Sequence, residues 1–214
     1  MALRVLVVSV GPNRMLCQSL ETDCGFEVAA IQPAFIDLGD FGGPLSADRE
    51  GSYPRLNPRV FPVRPYPYSL YLGSVSRFLR RFRPDVIYGI GEPSELGIAQ
   101  VMALAHRHCP QARRVLFSFE NVTRTWRGFP RILRGLAERC TVPRTDVVAA
   151  CTESAAAWWR ERGMPPERIR VVYLPATTVL ERQPADQLRA QLLGEGDFLV
   201  AFVGRLTPEK GVDL

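Results

Sequence analysis

Phe198-Leu-Val-Ala-Phe-Val-Gly-Arg-Leu-Thr-Pro-Glu-Lys-Gly-Val-Asp-Leu214 closes the chain. Its apolar run reads as a buried strand, Phe198–Val203. A glycine turn, a basic residue, a proline, an acidic-basic pair and a second glycine follow. A lone strand and half a helix cannot bury their own apolar faces. The stretch therefore reads as the opening of a second domain, with residues 1–183 forming the first domain and its linker. Residues 184–214 are then only the start of the second, so the chain is expected to be truncated. Of the 27 basic residues, one is lysine, Lys210. A site that keeps lysine in so arginine-rich a chain points to a compact ammonium on a flexible stem. The order Gly204 to Lys210, with a proline inside, is not the Walker phosphate loop. Arg205 and Lys210 nevertheless lie near a predicted helix start, where backbone donors and the helix dipole favour anions. Two cations there can hold a diphosphate.

Upstream, strand and helix patterns alternate. Arg4–Val10, Glu27–Gln32, Asp85–Tyr88, Arg114–Phe119, Val147–Ala150 and Ile169–Tyr173 are short apolar runs that read as strands. Helices are expected over Met15–Asp23, Ser69–Arg83, Ser94–His108, Phe129–Cys140, Glu153–Arg162 and Ala185–Leu193. In the second of these, Val75, Phe78, Leu79 and Phe82 make one apolar stripe. Ser94 and Thr152 are the expected caps of their helices. Gly163 is the expected stop after Arg162. The long Pro33–Pro67 stretch shows one strand, Arg59–Val63. Strands buried on both faces and alternating with helices predict an α/β fold with a doubly wound parallel sheet. Ligands of such sheets sit beyond the strand C-terminal ends.

Composition narrows the partners. The chain of 214 residues is 46% hydrophobic with a net charge of +5. No apolar run reaches the ~18 residues of a membrane span. Basic repeats interleaved with aromatics, the mark of nucleic-acid binders, are absent. Cys17, Cys24, Cys109, Cys140 and Cys151 are scattered. With His106 and His108 they offer no zinc spacing, so no metal is expected and reduced thiols in the cytoplasm fit best. Arg77, Arg80, Arg81 and Arg83, with Arg127, Arg131 and Arg134, can steer the protein towards an anionic inner membrane face.

The strand-end loops supply the candidate site. Gly11-Pro12-Asn13-Arg14 lacks the dinucleotide fingerprint, and its proline removes a donor. Asn13 or Arg14 can contact an anion or a sugar. Glu92-Pro93-Ser94 is a strand-to-helix turn whose Glu92 can accept hydroxyl hydrogen bonds. Glu120 and Asn121 end the strand carrying Phe117-Ser-Phe119, where they can orient sugar hydroxyls or handle a proton. Arg124 can hold a phosphate.

Val203-Gly-Arg-Leu-Thr-Pro-Glu-Lys-Gly211 resembles the opening of the C-terminal domain in glycosyltransferase family 4. These are retaining enzymes with two facing Rossmann-like domains, the GT-B fold. Arg83-Pro-Asp-Val-Ile87, Thr145-Asp-Val-Val-Ala-Ala-Cys-Thr152 and the run from Gly163 through Ile169–Pro175 resemble further family segments in the right order. Glu92-Pro93-Ser94 and Glu120-Asn121-Val-x-Arg124 resemble a subgroup's loops. The resemblance implies that Arg205 and Lys210 bind the donor diphosphate. Glu120 stands about where the family often has a histidine, and Pro175-Ala-Thr-Thr-Val179 departs from the usual linker.

The expectation is thus the acceptor-side domain of a glycosyltransferase. Its parent moves a sugar from a nucleoside-diphosphate sugar to a glycan, lipid-linked or small-molecule acceptor, needing no cofactor besides the donor. A nucleotide-sugar epimerase of the same fold and a non-catalytic Rossmann-like binding module are the alternatives.

Overall fold

A computed structural model describes residues 2–11, 13–39, 43–47, 52–120, 127–173, 186–193, 198 and 200–204, with the side chains of 186–188 left out. Contacts divide the chain into Met1–Tyr173 and Leu174–Leu214.

The first unit begins with β1 (Arg4–Ser9), α1 (Arg14–Thr22) and β2 (Glu27–Ile31), then the short strands β3 (Phe35–Asp37), β4 (Pro44–Ser46), β5 (Arg55–Leu56), β6 (Arg59–Phe61) and β7 (Leu70–Leu72). It continues through α2 (Val75–Phe82), β8 (Val86–Ile90), α3 (Leu96–His108), β9 (Arg113–Ser118), α4 (Gly128–Thr141), β10 (Val147–Ala150), α5 (Glu153–Glu161) and β11 (Ile169–Val171). Seven strands pair in the order β11-β10-β9-β8-β1-β2-β5, every pair parallel. This is the Rossmann-like sheet that the sequence predicts.

Side chains alternate across a strand, so the apolar runs of β1 and β2 feed two cores. Val5, Val7, Val28 and Ala30 meet Cys17 of α1 and Tyr53 on one face. Leu6, Val8, Ala29 and Ile31 join Val75 and Leu79 of α2 and Ile98 and Met102 of α3 on the other. Leu6, Ile31, Leu79 and Ile87 are fully buried. Each contributes roughly 1.5–3 kcal/mol by leaving water. A continuous apolar run is thus stable only as an interior strand.

Two expectations change. The helix predicted over Ser69–Arg83 begins at Val75, because Leu70–Leu72 pairs antiparallel with Arg59–Phe61. Gln100 of α3 fastens that strand, accepting from Tyr71 N at 2.7 Å and donating to Tyr71 O at 2.9 Å. The Pro33–Pro67 stretch holds β3 to β6 rather than one strand, and β5 widens the main sheet.

In the second unit α6 (Asp186–Leu193) forms where a helix is expected. The predicted strand Phe198–Val203 is not seen at residues 198 and 200–203. Phe198, Val200 and Val203 are 77%, 83% and 96% exposed there. Side chains this exposed are not those of an interior strand. No helix among the described residues is long and apolar enough to cross a membrane.

Candidate functional site

The strands β8 and β9 end side by side, Ile90 opposite Phe117. Gly91 follows β8, and a Cβ there would stand 2.7 Å from Glu95 Oε2. Only glycine leaves room for that carboxylate. Glu92-Pro93-Ser94-Glu95 then turns the chain into α3, closed by Glu95 N donating to Glu92 O at 3.0 Å.

Both glutamates of the turn point inward. The Glu92 carboxylate accepts from Ser118 Oγ at 2.7 Å, Phe119 N at 2.8 Å and Glu120 N at 3.1 Å. It therefore fixes the end of β9 to the end of β8. The Glu95 carboxylate accepts from the Tyr66 hydroxyl and from Glu92 N. It ties the segment before β7 to the same turn. Arg134 of α4 donates to Ser94 Oγ at 2.9 Å and stands 4.0 Å from Glu120 Oε2. Glu120 itself is half-buried, next to the exposed ring of Phe119.

Burial in low dielectric disfavours a charged carboxylate. It pushes Glu92 up to about 7, against the pull of Ser118 and the Phe119 N–H and with the push of the Glu120 charge. Burial likewise pushes Glu95 up to about 8, opposed by the Tyr66 hydrogen bond and reinforced by Glu92. Tyr66 is driven well above the usual phenol range, first by burial and then by the Glu95 charge. Two carboxyls of one turn, Glu95 buried and Glu92 half-buried, are thus both held towards their protonated forms. Beside them are a guanidinium, a hydroxyl and the Glu120 carboxylate. The set can orient a hydroxylated ligand and accept a proton from it.

The structure brings together Glu92, Ser94 and Glu120 of the predicted residues. Ser94 is not the helix cap. Glu95 occupies that place with no side-chain cap bond, and the Ser94 hydroxyl serves Arg134 instead. Asn13 is buried, its amide donating to Ser9 Oγ at 3.0 Å and accepting from Cys17 Sγ at 3.6 Å. Arg14 opens α1 at an exposed position. Asn121, Arg124, Arg205 and Lys210 lie outside the described residues. So do all of Pro175–Gln183 and residues 205–211 of the closing motif.

Sequence reasoning missed Glu95, Tyr66 and Ser118 as site members, and it placed Arg134 on a membrane-facing surface. A second glutamate at the mouth of an apolar helix was the available signal for Glu95. Nothing local marks Tyr66, which comes from a proline-rich stretch. Among the described residues no cluster of three or more His, Cys, Asp or Glu side chains is placed to hold a metal ion.

Comparison with known proteins bears on the fold and the family. Anabaena Alr3699/HepE in complex with UDP-glucose superposes with a TM-score of 0.55 at 14% identity, over 98% of this chain and 55% of that one. The S. aureus MnaA–UDP structure gives 0.51 at 13% identity, over 79% and 44%. UDP-N-acetylglucosamine 2-epimerase from Rickettsia bellii gives 0.50 at 17%, over 79% and 44%. At these identities the likeness is one of fold, and the chain spans about half the length of each neighbour. No curated protein matches it. The model of the glycosyl transferase 4-like domain family matches residues 13–175, which takes in both loops of the site. The chain belongs to the glycosyl transferase 4-like domain family.

Proposed function

We propose that residues 1–173 form the acceptor side of a glycosyltransferase that moves a sugar from a nucleoside-diphosphate sugar to a hydroxylated acceptor with retention of configuration. One observation carries this reading. In a chain of this family, the strand ends of β8 and β9 gather Glu92, Ser94, Glu120 and Arg134 into one polar cluster beyond the sheet. That is where parallel sheets take their ligands. Glu120 contacts the acceptor hydroxyl and takes its proton, while Glu92 and Arg134 hold Glu120 in place. Arg14, Asn121 and Arg124 are further candidates for contact with the substrates. Arg205 and Lys210 hold the donor diphosphate, and no metal is required because two cations offset that charge. The UDP-glucose and UDP bound in the HepE and MnaA structures support a nucleoside-diphosphate donor class. Five free cysteines agree with a reducing, cytoplasmic setting.

The test uses the full-length protein with a panel of nucleoside-diphosphate sugars and acceptors, scored by product mass and anomeric configuration. Glu120→Gln should lower kcat/KM by roughly 100-fold or more. Lys210→Ala should weaken donor binding by roughly 30-fold or more, the size of a charge-assisted hydrogen bond. Turnover of the sugar nucleotide without any acceptor would instead mark an epimerase of the same fold. Tight sugar-nucleotide binding without turnover would mark a binding module.

A further inference from the structure

The helices α2, α3 and α4 form one layer, α2 packed on α3 and α3 on α4. Their outer surface has two properties that rarely coincide. The first is apolar. Phe129, Ile132 and Leu136 are 68%, 58% and 54% exposed, and their i, i+3, i+7 spacing puts them in one stripe along α4. The second is charge. Arg77, Arg80 and Arg81 on α2, Arg107 on α3, and Arg131 and Arg139 on α4 are all exposed. The single acidic residue of the three helices, Glu138, is paired with Arg162 at 3.4 Å. Arg134 does not belong to this surface, since it turns inward to Ser94.

We infer that this layer docks on an anionic lipid surface, with the α4 stripe entering the headgroup boundary and the arginines engaging lipid phosphates. Charge complementarity selects that occupant. A second copy of the same face would set arginine against arginine with no free carboxylate across the contact. An interfacial helix needs an apolar stripe beside basic side chains, and α4 supplies both within about 20 Å of length. Phe129 and Ile132 lie in the first turns of α4, just before Arg134 reaches back to the site. A docked α4 would therefore hold the strand-end cluster near the membrane. The inference rests on this surface alone and not on the proposed reaction, so either can fail without the other.

The experiment is co-sedimentation of the full-length protein with phosphatidylglycerol–phosphatidylcholine vesicles and with phosphatidylcholine alone, at moderate and high salt. Binding should require the anionic lipid and weaken as salt rises. Arg131→Ala with Arg139→Ala should reduce it by roughly tenfold or more. Phe129→Ser, Ile132→Ser and Leu136→Ser together should abolish it, with an unchanged melting temperature because these side chains are exposed. Hydrogen exchange should show residues 128–139 protected by anionic vesicles and not by neutral ones. The inference is overturned if anionic vesicles are not bound, or if the triple serine variant still binds them. Concentration-dependent protection of α4 without vesicles would overturn it too, assigning the face to contact between copies.

Discussion

The turns after β1 and β8 leave adjacent strands at the same edge of the sheet, yet burial does opposite things in them. After β1, the buried amide of Asn13 is closed off by Ser9 and Cys17. Those partners are neutral. Burial pushes the Cys17 thiol up to about 11, which leaves it protonated and unreactive. After β8, burial falls on Glu92 and Glu95, and it leaves their carboxyls near about 7 and about 8. The first turn uses polar groups to finish the fold. The second retains groups whose charge the fold disfavours. Place at the sheet edge is common to both, so place alone does not make a site. A group held at an energetic cost is the better indicator.

The largest expected consequence is in pH. Glu92 and Glu95 bind protons more tightly folded than unfolded, because both are raised from 4.5. Stability should therefore be greatest near pH 4.5 and fall as pH rises through about 7 and about 8, then level off. Glu92 alone would contribute about 3 kcal/mol to that fall. Thermal melting from mild acid to mild alkali reads it. Glu95→Gln carries no charge and should flatten the upper part of the curve. A wild-type profile that rises across this window would break the contrast between the two turns.

Next is Glu92→Ala. It removes the acceptor of Ser118 Oγ, Phe119 N and Glu120 N at once. Displacing a reacting group by about 1 Å can cost roughly 100-fold in rate. We expect a loss of that size in kcat/KM, measured on the full-length protein. Asn13→Ala is its counterpart. It should cost about 1–2 kcal/mol of stability from two local hydrogen bonds and leave kcat/KM within about twofold. A large rate loss with Asn13→Ala would return Asn13 itself to the site.

What the sequence made legible follows from locality. Arg4–Ser9 and Val147–Ala150 are apolar, valine-bearing runs whose burial on both faces needs no knowledge of partners. Thr152 and Gly163 act within their own helix, the first accepting from Ala155 N and the second at φ +83°. The rest depended on meetings between distant segments. Leu70–Leu72 falls within the helix expected over Ser69–Arg83 and becomes a strand only because β6 lies beside it. Tyr66 and Glu95 are far apart in the chain, and no periodicity connects them. Arg131 and Arg134 are chemically identical and three residues apart. The turn before α3, which carries Ser94, makes one a site residue, and the other stays exposed. At Phe198–Val203 the apolar run was legible, but a strand needs a partner strand to be one.

The smallest expected effect compares two hydroxyls in matching strand-to-helix turns. Thr152 Oγ1 accepts from Ala155 N at 3.0 Å and caps α5. Thr152→Ala should cost about 1 kcal/mol of stability and leave turnover unchanged. Ser94 is 1% exposed and accepts from Arg134 Nη2, while Glu95 holds the cap position of α3. Ser94→Ala should also cost about 1 kcal/mol, here from a half-buried guanidinium that loses an acceptor. Its further effect should be on rate. Arg134 stands 4.0 Å from Glu120 Oε2, so freeing it disturbs the carboxylate assigned to the acceptor. A fall of roughly fivefold in kcat/KM is expected, about 1 kcal/mol in the transition state. Urea melts and steady-state rates on both variants give the four numbers needed. If the two variants lose equal stability and neither loses rate, Ser94 and Arg134 are as structural as Thr152, and the site shrinks to Glu92 and Glu120.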